Sequence, residues 1–153
     1  MQMAGDTGHS KRWEFSSEMG QEKQVVKELA AALQKDRLPE HRLDEMKTAI
    51  SEACLNAMEH GNHFDKSLRV SVVMEVQCSC YLFRICDQGD GYDPDEARPA
   101  LMVRDKIDWE EPRGWGLQYM REFADRVDAY KRDDCFCVEL QFARERVKEL
   151  KEE

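Results

Sequence analysis

The chain has 153 residues, of which 41% are hydrophobic and 36% are charged, a composition typical of one compact globular domain and unlike that of a disordered segment. Its formal net charge is −9 and its pI is near 5.0, which argues against direct binding to nucleic acid, because that binding needs a basic face. No apolar run reaches the length of a membrane span, and the first ten residues lack the apolar core of a signal peptide. We therefore expect a cytoplasmic protein that does not bind a membrane.

The first predicted elements are a flexible tail over residues 1–11 and a short strand over residues 12–17, with the sequence RWEFSS. A helix is predicted from Glu18 to about Arg37, and either Ser16 or Ser17 is placed to cap it. Apolar residues recur at helical spacing along this segment: Val25, Val26, Leu29, Ala32 and Leu33.

A second helix is predicted to begin near Pro39, a residue suited to a first helical turn, and to end at Gly61. Glu52 and Asn56 lie one turn apart on this helix, away from its apolar stripe. A solvated polar face is the ordinary interpretation of such a pair, and a catalytic base beside a metal ligand is the alternative. The stripe itself consists of Leu43, Met46, Ile50, Cys54, Ala57 and Met58.

The second half of the chain predicts two hairpins separated by a long loop and a helix. Residues 68–76 and 80–88 form the first hairpin. The segment 89–114 is polar and aperiodic, and loops of that length are usually functional lids or disordered. The sequence WGLQYMREFADRV predicts a helix, and a closing hairpin turns at Asp133–Asp134 before a charged tail over residues 144–153.

This order of elements predicts a single domain over residues 12–143 with an α+β fold. We expect a two-layer sandwich whose helices pack on one face of a mainly antiparallel, mixed sheet. No internal repeat and no second domain is apparent in the sequence.

Six cysteines require an interpretation. Without a secretory signal a disulfide framework is not expected, and the Cys-x-Cys spacing of CSC and CFC is shorter than the usual zinc spacing. We predict that all six thiols are reduced and free of metal. They are Cys54, Cys78, Cys80, Cys86, Cys135 and Cys137.

Three short segments carry the candidate chemistry, in a fixed order along the chain. They are Glu52-x-x-x-Asn56 on a helix, DQGDG at residues 87–91 after an apolar strand, and RGWGL at residues 113–117 before a helix. Together they resemble the N, G1 and G2 boxes of the GHKL (histidine kinase-like) ATPase superfamily. The stretches SEACLNAMEHGN and GWGLQYMREFADRVD most resemble the anti-sigma-factor serine kinases of the RsbW type, and the resemblance runs from Phe15 to Phe142.

The helical pair is suited to phosphoryl transfer. Glu52 and Asn56 point from one helix face, and the carbonyl oxygen of Asn56 suits Mg²⁺ that bridges nucleotide phosphates. A carboxylate one turn away can accept a proton from an attacking hydroxyl. The resemblance implies the same roles, with Glu52 as general base and Asn56 as magnesium and nucleotide ligand.

The second segment, DQGDG, is suited to binding a nucleobase. A carboxylate at the end of a buried strand needs a donor partner, and the resemblance implies that Asp87 binds the adenine amino group. The alternative is that Asp87 starts an Asx turn. Gly89 and Gly91 let the backbone approach the base and ribose without side chains in the way.

The third segment is suited to phosphates. Gly114 and Gly116 open the helix at Leu117, and backbone amides at a helix N-terminus attract anions. The alternative for the two glycines is a plain helix N-terminus. Arg113 is the candidate to neutralise phosphate charge. One departure from the family concerns its last hairpin, where a Gly-Thr pair places a hydroxyl near adenine. Here the sequence is DDCFCVEL, and Cys137 is the candidate for that place.

The resemblance implies a Bergerat-type sandwich and an ATP- and Mg²⁺-dependent protein serine kinase that is also an anti-sigma factor. Its partners would be a sigma factor and a small anti-anti-sigma protein of the STAS type, which supplies the acceptor serine. Family members commonly pair, which leaves a homodimer open. Two alternatives remain, an isolated histidine-kinase catalytic domain and a non-enzymatic nucleotide-binding switch protein.

Overall fold

The computed structural model describes residues 9–89, residue 91 and residues 116–144. Residues 1–8 and 145–153 of the predicted tails, most of the predicted lid, Arg113 and Gly114 lie outside these residues. Residues 9–11, which were predicted to belong to the flexible tail, form the start of the first strand instead. Within them the chain forms five strands, three α-helices and one π-helical turn. In chain order these are β1 (His9–Ser16), α1 (Gln21–Gln34), α2 (Glu40–Asn56), the π-turn (Ala57–Gly61), β2 (Arg69–Val76), β3 (Cys80–Asp87), α3 (Gly116–Phe123), β4 (Arg126–Arg132) and β5 (Cys135–Ala143).

The five strands form one sheet in the order β1-β2-β3-β5-β4, and every neighbouring pair is antiparallel. The described strands therefore contain no parallel pair of the kind that a mixed sheet carries. Alternate residues of each strand face the helices, as the period of a strand requires. The predicted α+β sandwich is confirmed.

The core lies between the sheet and the helices. In β2 the valines and methionine of the alternating pattern are buried, because every second side chain faces α1 and α2. The six residues of the predicted α2 stripe are all buried, which confirms that interpretation. None of the described helices combines the length and the apolar content that a membrane crossing requires.

The start of α1 differs from the prediction. Gly20, with φ of 98°, precedes the helix, and no side chain caps it. The prediction that Ser16 or Ser17 is the cap is therefore wrong. Ser17 is fully buried and donates its hydroxyl proton to the carbonyl of Leu68 at 2.9 Å instead. The serine thus ties the end of β1 to the start of β2 rather than capping the helix.

The cysteine prediction is wrong for one pair. Cys86 and Cys137 form a disulfide, because the β3–β5 register places them directly opposite each other with 4.1 Å between their Cα atoms. They are 51 residues apart in the sequence, so local patterns carry no sign of the pairing. The other four cysteines are free thiols, and burial raises the pKa of the Cys54 thiol. Their freedom from metal stays a prediction.

A buried arginine joins the first turn of α2 to the far end of the sheet. Arg42 is 5% exposed, donates to the carbonyl of Ala143 at 2.9 Å, and lies 3.4 Å from the Asp125 carboxylate. Its guanidinium also lies over the Phe142 ring, 5.4 Å from the centroid. The side chain is therefore a structural link between the helical layer and the end of β5.

We expect Arg42→Ala to lower the free energy of unfolding by about 2–4 kcal/mol, because it removes buried stem packing and leaves the Ala143 carbonyl without this donor. Arg12→Ala is the matched control, since Arg12 forms an exposed ion pair with Glu14 and such pairs contribute little. Urea unfolding of the two variants measures the difference. Equal losses of stability would contradict the assigned role of Arg42.

Candidate active site

Helix α2 presents the first candidate pair. Glu52 is only 7% exposed, and Asn56, the last residue of α2, is half-buried. Because the two residues are four apart in an α-helix, they share one face. A carboxylate this deeply buried is not a solvated surface charge, so the ordinary interpretation of Glu52 is excluded.

Helix α2 widens into a π-turn directly after Asn56. The Asn62 amide donates to the Ala57 carbonyl at 2.9 Å, and the Phe64 amide donates to the Met58 carbonyl at 2.8 Å. The chain then reverses through two left-handed residues, His63 with φ of 53° and Phe64 with φ of 57°. The predicted helix end at Gly61 is confirmed. Short π-turns inside helices are frequent at functional sites, and this one turns the helix end toward β3.

Asn62 links that helix end to three strands. Its side chain is completely buried, and its carbonyl oxygen accepts the Gln88 amide at 2.9 Å. Its amide nitrogen donates to the Ser17 hydroxyl at 2.8 Å and to the Arg69 carbonyl at 3.1 Å. The ends of β1 and β3 and the start of β2 are thereby held by one carboxamide. The sequence analysis did not place Asn62 in the site. Its position directly after Gly61, where the helix ends, could have indicated a side chain that links the helix end to neighbouring strands.

Asp87 is the last residue of β3 and is 1% exposed. Its Oδ1 accepts the Gly89 amide at 3.0 Å, so the Asx turn considered from the sequence is present. The remainder of the carboxylate lies against Gly61, where an added Cβ would overlap Oδ2 and Cγ. A Cβ on Gly89 would in turn overlap the Gly61 carbonyl oxygen. The two glycines therefore allow the end of β3 to pack directly on the π-turn.

Phe136, rather than Cys137, shares the sheet face of Asp87. Asp87 and Phe136 are direct partners in the β3–β5 register, and directly opposite side chains point to the same face. Cys137 points to the other face, where it is bonded to Cys86. Cys137, the candidate for the place of the family's hydroxyl, therefore does not share the sheet face of Asp87, because adjacent strand residues face opposite sides.

Gly91 extends the surface around Phe136. Its φ is 82°, and a Cβ added there would come within 2.6 Å of the Phe136 Cγ. The Gly91 backbone therefore lies directly on the phenylalanine side chain. Phe136 was missed from the sequence, although the alternation in CFC, once placed opposite β3, identifies it.

The third segment is described only in part. Gly116 is the first residue of α3 and Leu117 the second, as predicted, and α3 packs against α2. The helix that starts with this segment thus lies beside the helix of Glu52 and Asn56. Arg113 and Gly114 lie outside the described residues, so their predicted phosphate contacts stay predictions.

Comparison with known proteins supports a single family. Residues 15–142 match the histidine kinase-like ATPase domain. The chain is similar to the serine-protein kinase RsbW of Bacillus licheniformis, with 32% identity over 88 residues that cover 56% of this chain and 55% of the relative. It is similar to the serine-protein kinase RsbW of Bacillus subtilis (strain 168) at 31% identity, with the same coverage. Each match thus spans about half the length of the relative.

We expect Asn62→Ala to lower the free energy of unfolding by about 2–4 kcal/mol, because buried partners of the carboxamide lose their hydrogen bonds. The Gln88 amide should also exchange with solvent much faster. Gln24→Ala is the matched control, since it removes an exposed carboxamide that donates to Glu28 and should change stability by less than about 0.5 kcal/mol. Urea unfolding and amide hydrogen exchange test both points, and unchanged Gln88 protection in Asn62→Ala would contradict the linking role.

Proposed function

Because the chain belongs to the family of histidine kinase-like ATPase domains, we propose that it is an ATP-dependent protein serine kinase that also acts as an anti-sigma factor. The family match supports ATP binding and kinase chemistry in general terms. The similarity to two proteins named serine-protein kinase supports serine as the acceptor. The burial of Glu52 on the helix face of Asn56 is the observation that carries the proposal.

The nucleotide is assigned to the region where the end of β3 meets the π-turn. Asp87 is the acceptor for the adenine amino group, and its carboxylate is oriented by Gly89 and by the packing of Gly61. Gly91 and Phe136 line the same region. A rigid acceptor of this kind discriminates among bases, since a mismatched base leaves a buried polar group without its partner.

The phosphates are assigned to the N-terminus of α3 and the segment before it. The amides of Gly114, Gly116 and Leu117 would bind phosphate oxygens, as helix N-termini do, and Arg113 would neutralise part of the charge. Asn56 fits Mg²⁺, because its half-buried carboxamide offers a carbonyl oxygen on the face of Glu52. When bound, Mg²⁺ supplies charge neutralisation at the phosphates.

Glu52 is assigned as the general base. Its carboxylate takes the proton from the serine hydroxyl of the partner protein as that oxygen attacks the γ-phosphorus. The bond between the γ-phosphorus and the β–γ bridging oxygen breaks, ADP leaves, and the proton stays on Glu52 until solvent removes it. The buried position keeps the carboxylate fixed and limits competing water.

The proposed partners follow from the similarity to the RsbW kinases. They are a sigma factor, which the chain would sequester, and a small anti-anti-sigma protein of the STAS type that carries the acceptor serine. Phosphorylation of that serine would release the small protein and leave the chain available to the sigma factor. We also propose a cytoplasmic location and pairing with a second copy of the chain.

We expect Glu52→Gln and Asn56→Ala to fail in different ways. Glu52→Gln keeps the side-chain shape but cannot accept the proton, so phosphoryl transfer should fall by roughly 10²–10⁴-fold while nucleotide affinity changes only several-fold. Asn56→Ala removes a magnesium ligand, so Mg-nucleotide binding itself should weaken and transfer should be lost with it.

Calorimetry with Mg-ADP and transfer of labelled phosphate from ATP to a small STAS-type protein measure the two effects. Glu40→Gln, an exposed carboxylate in the first turn of the same helix, is the matched control and should match the wild-type chain in both assays. Transfer by Glu52→Gln at the wild-type rate would refute the assigned base.

A further inference from the structure

The disulfide lies one residue away from the assigned base-binding region. Cys86 directly precedes Asp87 in β3, and Cys137 directly follows Phe136 in β5. The register pairs Cys86 with Cys137 and Asp87 with Phe136, so the two pairs are consecutive rungs of one ladder. The sulfurs lie on the sheet face away from the helices, while Asp87 and Phe136 lie on the other face.

Consecutive rungs of a ladder move together, because a single peptide unit on each strand joins them. The separation of β3 and β5 at the cysteine rung therefore sets their separation at the Asp87 rung. The disulfide is the only covalent cross-link among the described residues. This cross-link lies next to the end of β3, where the Asp87–Phe136 pair is the last rung of the ladder.

Noncovalent contacts also hold this end of β3. The Gln88 amide bonds to Asn62, and Gly89 packs on the Gly61 carbonyl. The backbone of Gly91 lies on Phe136, on the β5 side. The position of Asp87 thus depends on the π-turn on one side and on the link to β5 on the other.

We propose that Cys86 and Cys137 form a reversible thiol–disulfide site that exchanges with low-molecular-weight thiols and sets the nucleotide affinity of the neighbouring Asp87 region. This inference rests on the proposed function for the nucleotide. No catalytic role is assigned to either cysteine.

The reductant in this exchange is a small thiol, written RSH. In the first step its thiolate attacks one cysteine sulfur, forms a mixed disulfide, and releases the other cysteine as a thiolate. A second RSH then attacks the mixed disulfide, so the protein gains two thiols and one RSSR is released. In the reverse direction RSSR is reduced to two RSH as the protein disulfide forms.

Exposure selects the sulfur that is attacked. Cys86 is 8% exposed, whereas Cys137 is completely buried, and exchange requires access to a sulfur. Cys86 is thus the more accessible of the two residues, and we expect attack on its sulfur with Cys137 as the leaving thiolate. This order also places the bulky mixed disulfide on β3, next to Asp87.

The direction of the effect follows from packing. Two unbonded sulfurs need more separation than two bonded ones, so we expect reduction to loosen the β3–β5 pairing at this rung and to displace Asp87 relative to Phe136. The oxidised chain has the region preorganised and should bind nucleotide more tightly. We expect reduction to weaken Mg-ADP binding by about 5–20-fold.

The test compares one protein in two redox states. Thiol titration of the denatured chain should find four thiols before treatment with dithiothreitol and six after it, because four of the six cysteines are free in the oxidised form. Calorimetry with Mg-ADP on both samples should then give the 5–20-fold difference. Removal of dithiothreitol and addition of oxidised glutathione should then restore the count of four thiols and the tighter Mg-ADP binding.

Two double variants isolate the pair. Cys86→Ala/Cys137→Ala should bind Mg-ADP like the reduced wild-type chain, whatever the redox buffer. Cys78→Ser/Cys135→Ser changes two free and less buried cysteines and should keep the full redox response. If the alanine variant does not fold, the comparison of oxidised and reduced wild-type chain decides the question alone.

Three outcomes would overturn the inference. One is a chain that keeps four thiols when the native protein is treated with dithiothreitol, or that keeps six thiols in oxidised glutathione. Another is equal Mg-ADP affinity in both verified redox states, which leaves the proposed nucleotide function intact. The third is absence of Mg-ADP binding in both states, which contradicts the proposed function as well.

Discussion

The buried carboxamide of Asn62 is the interaction on which the arrangement of the candidate site depends. A carboxamide in the interior must satisfy both its oxygen and its nitrogen, and the surrounding chain does so here with groups from three strand ends. The oxygen accepts a hydrogen bond from the Gln88 amide after β3. The nitrogen donates to the Ser17 hydroxyl after β1 and to the Arg69 carbonyl at the start of β2. The end of the α2 and π-turn segment is thereby fixed against three strands.

The π-turn makes that interaction geometrically accessible. A continuous α-helix would carry Asn62 onward along the axis of α2, whereas the wider turn and the two left-handed residues after it direct the chain back to the sheet. Gly61 then contacts the Asp87 carboxylate, and Gly89 contacts Gly61. As a result the end of the helix of Glu52 and Asn56 packs directly on the end of the strand of Asp87, as precise positioning of a substrate requires.

Local patterns of the sequence predicted the helices, the strands and the side-chain pair on α2. The valines of β2 alternate because one face is buried, and the α2 stripe has helical spacing because one face packs on the sheet. Features that depend on pairing between distant segments were not predictable in this way. The Cys86–Cys137 bond and the place of Phe136 both require the β3–β5 register. Ser17 was misassigned for a similar reason, since its partners Leu68 and Asn62 are distant in sequence.

The central claim is that Asp87 holds an adenine nucleotide at the junction of β3 and the π-turn. Adenine presents an amino group where guanine presents a carbonyl, and a carboxylate can accept only from the former. Calorimetry of the wild-type chain and Asp87→Asn with Mg-ATP and Mg-GTP tests this most directly. We predict at least about 10-fold tighter binding of ATP than of GTP by the wild-type chain, a difference that one well-placed hydrogen bond supplies, and loss of this preference in Asp87→Asn. Equal affinity of the wild-type chain for the two nucleotides, or no binding of either, would contradict the claim.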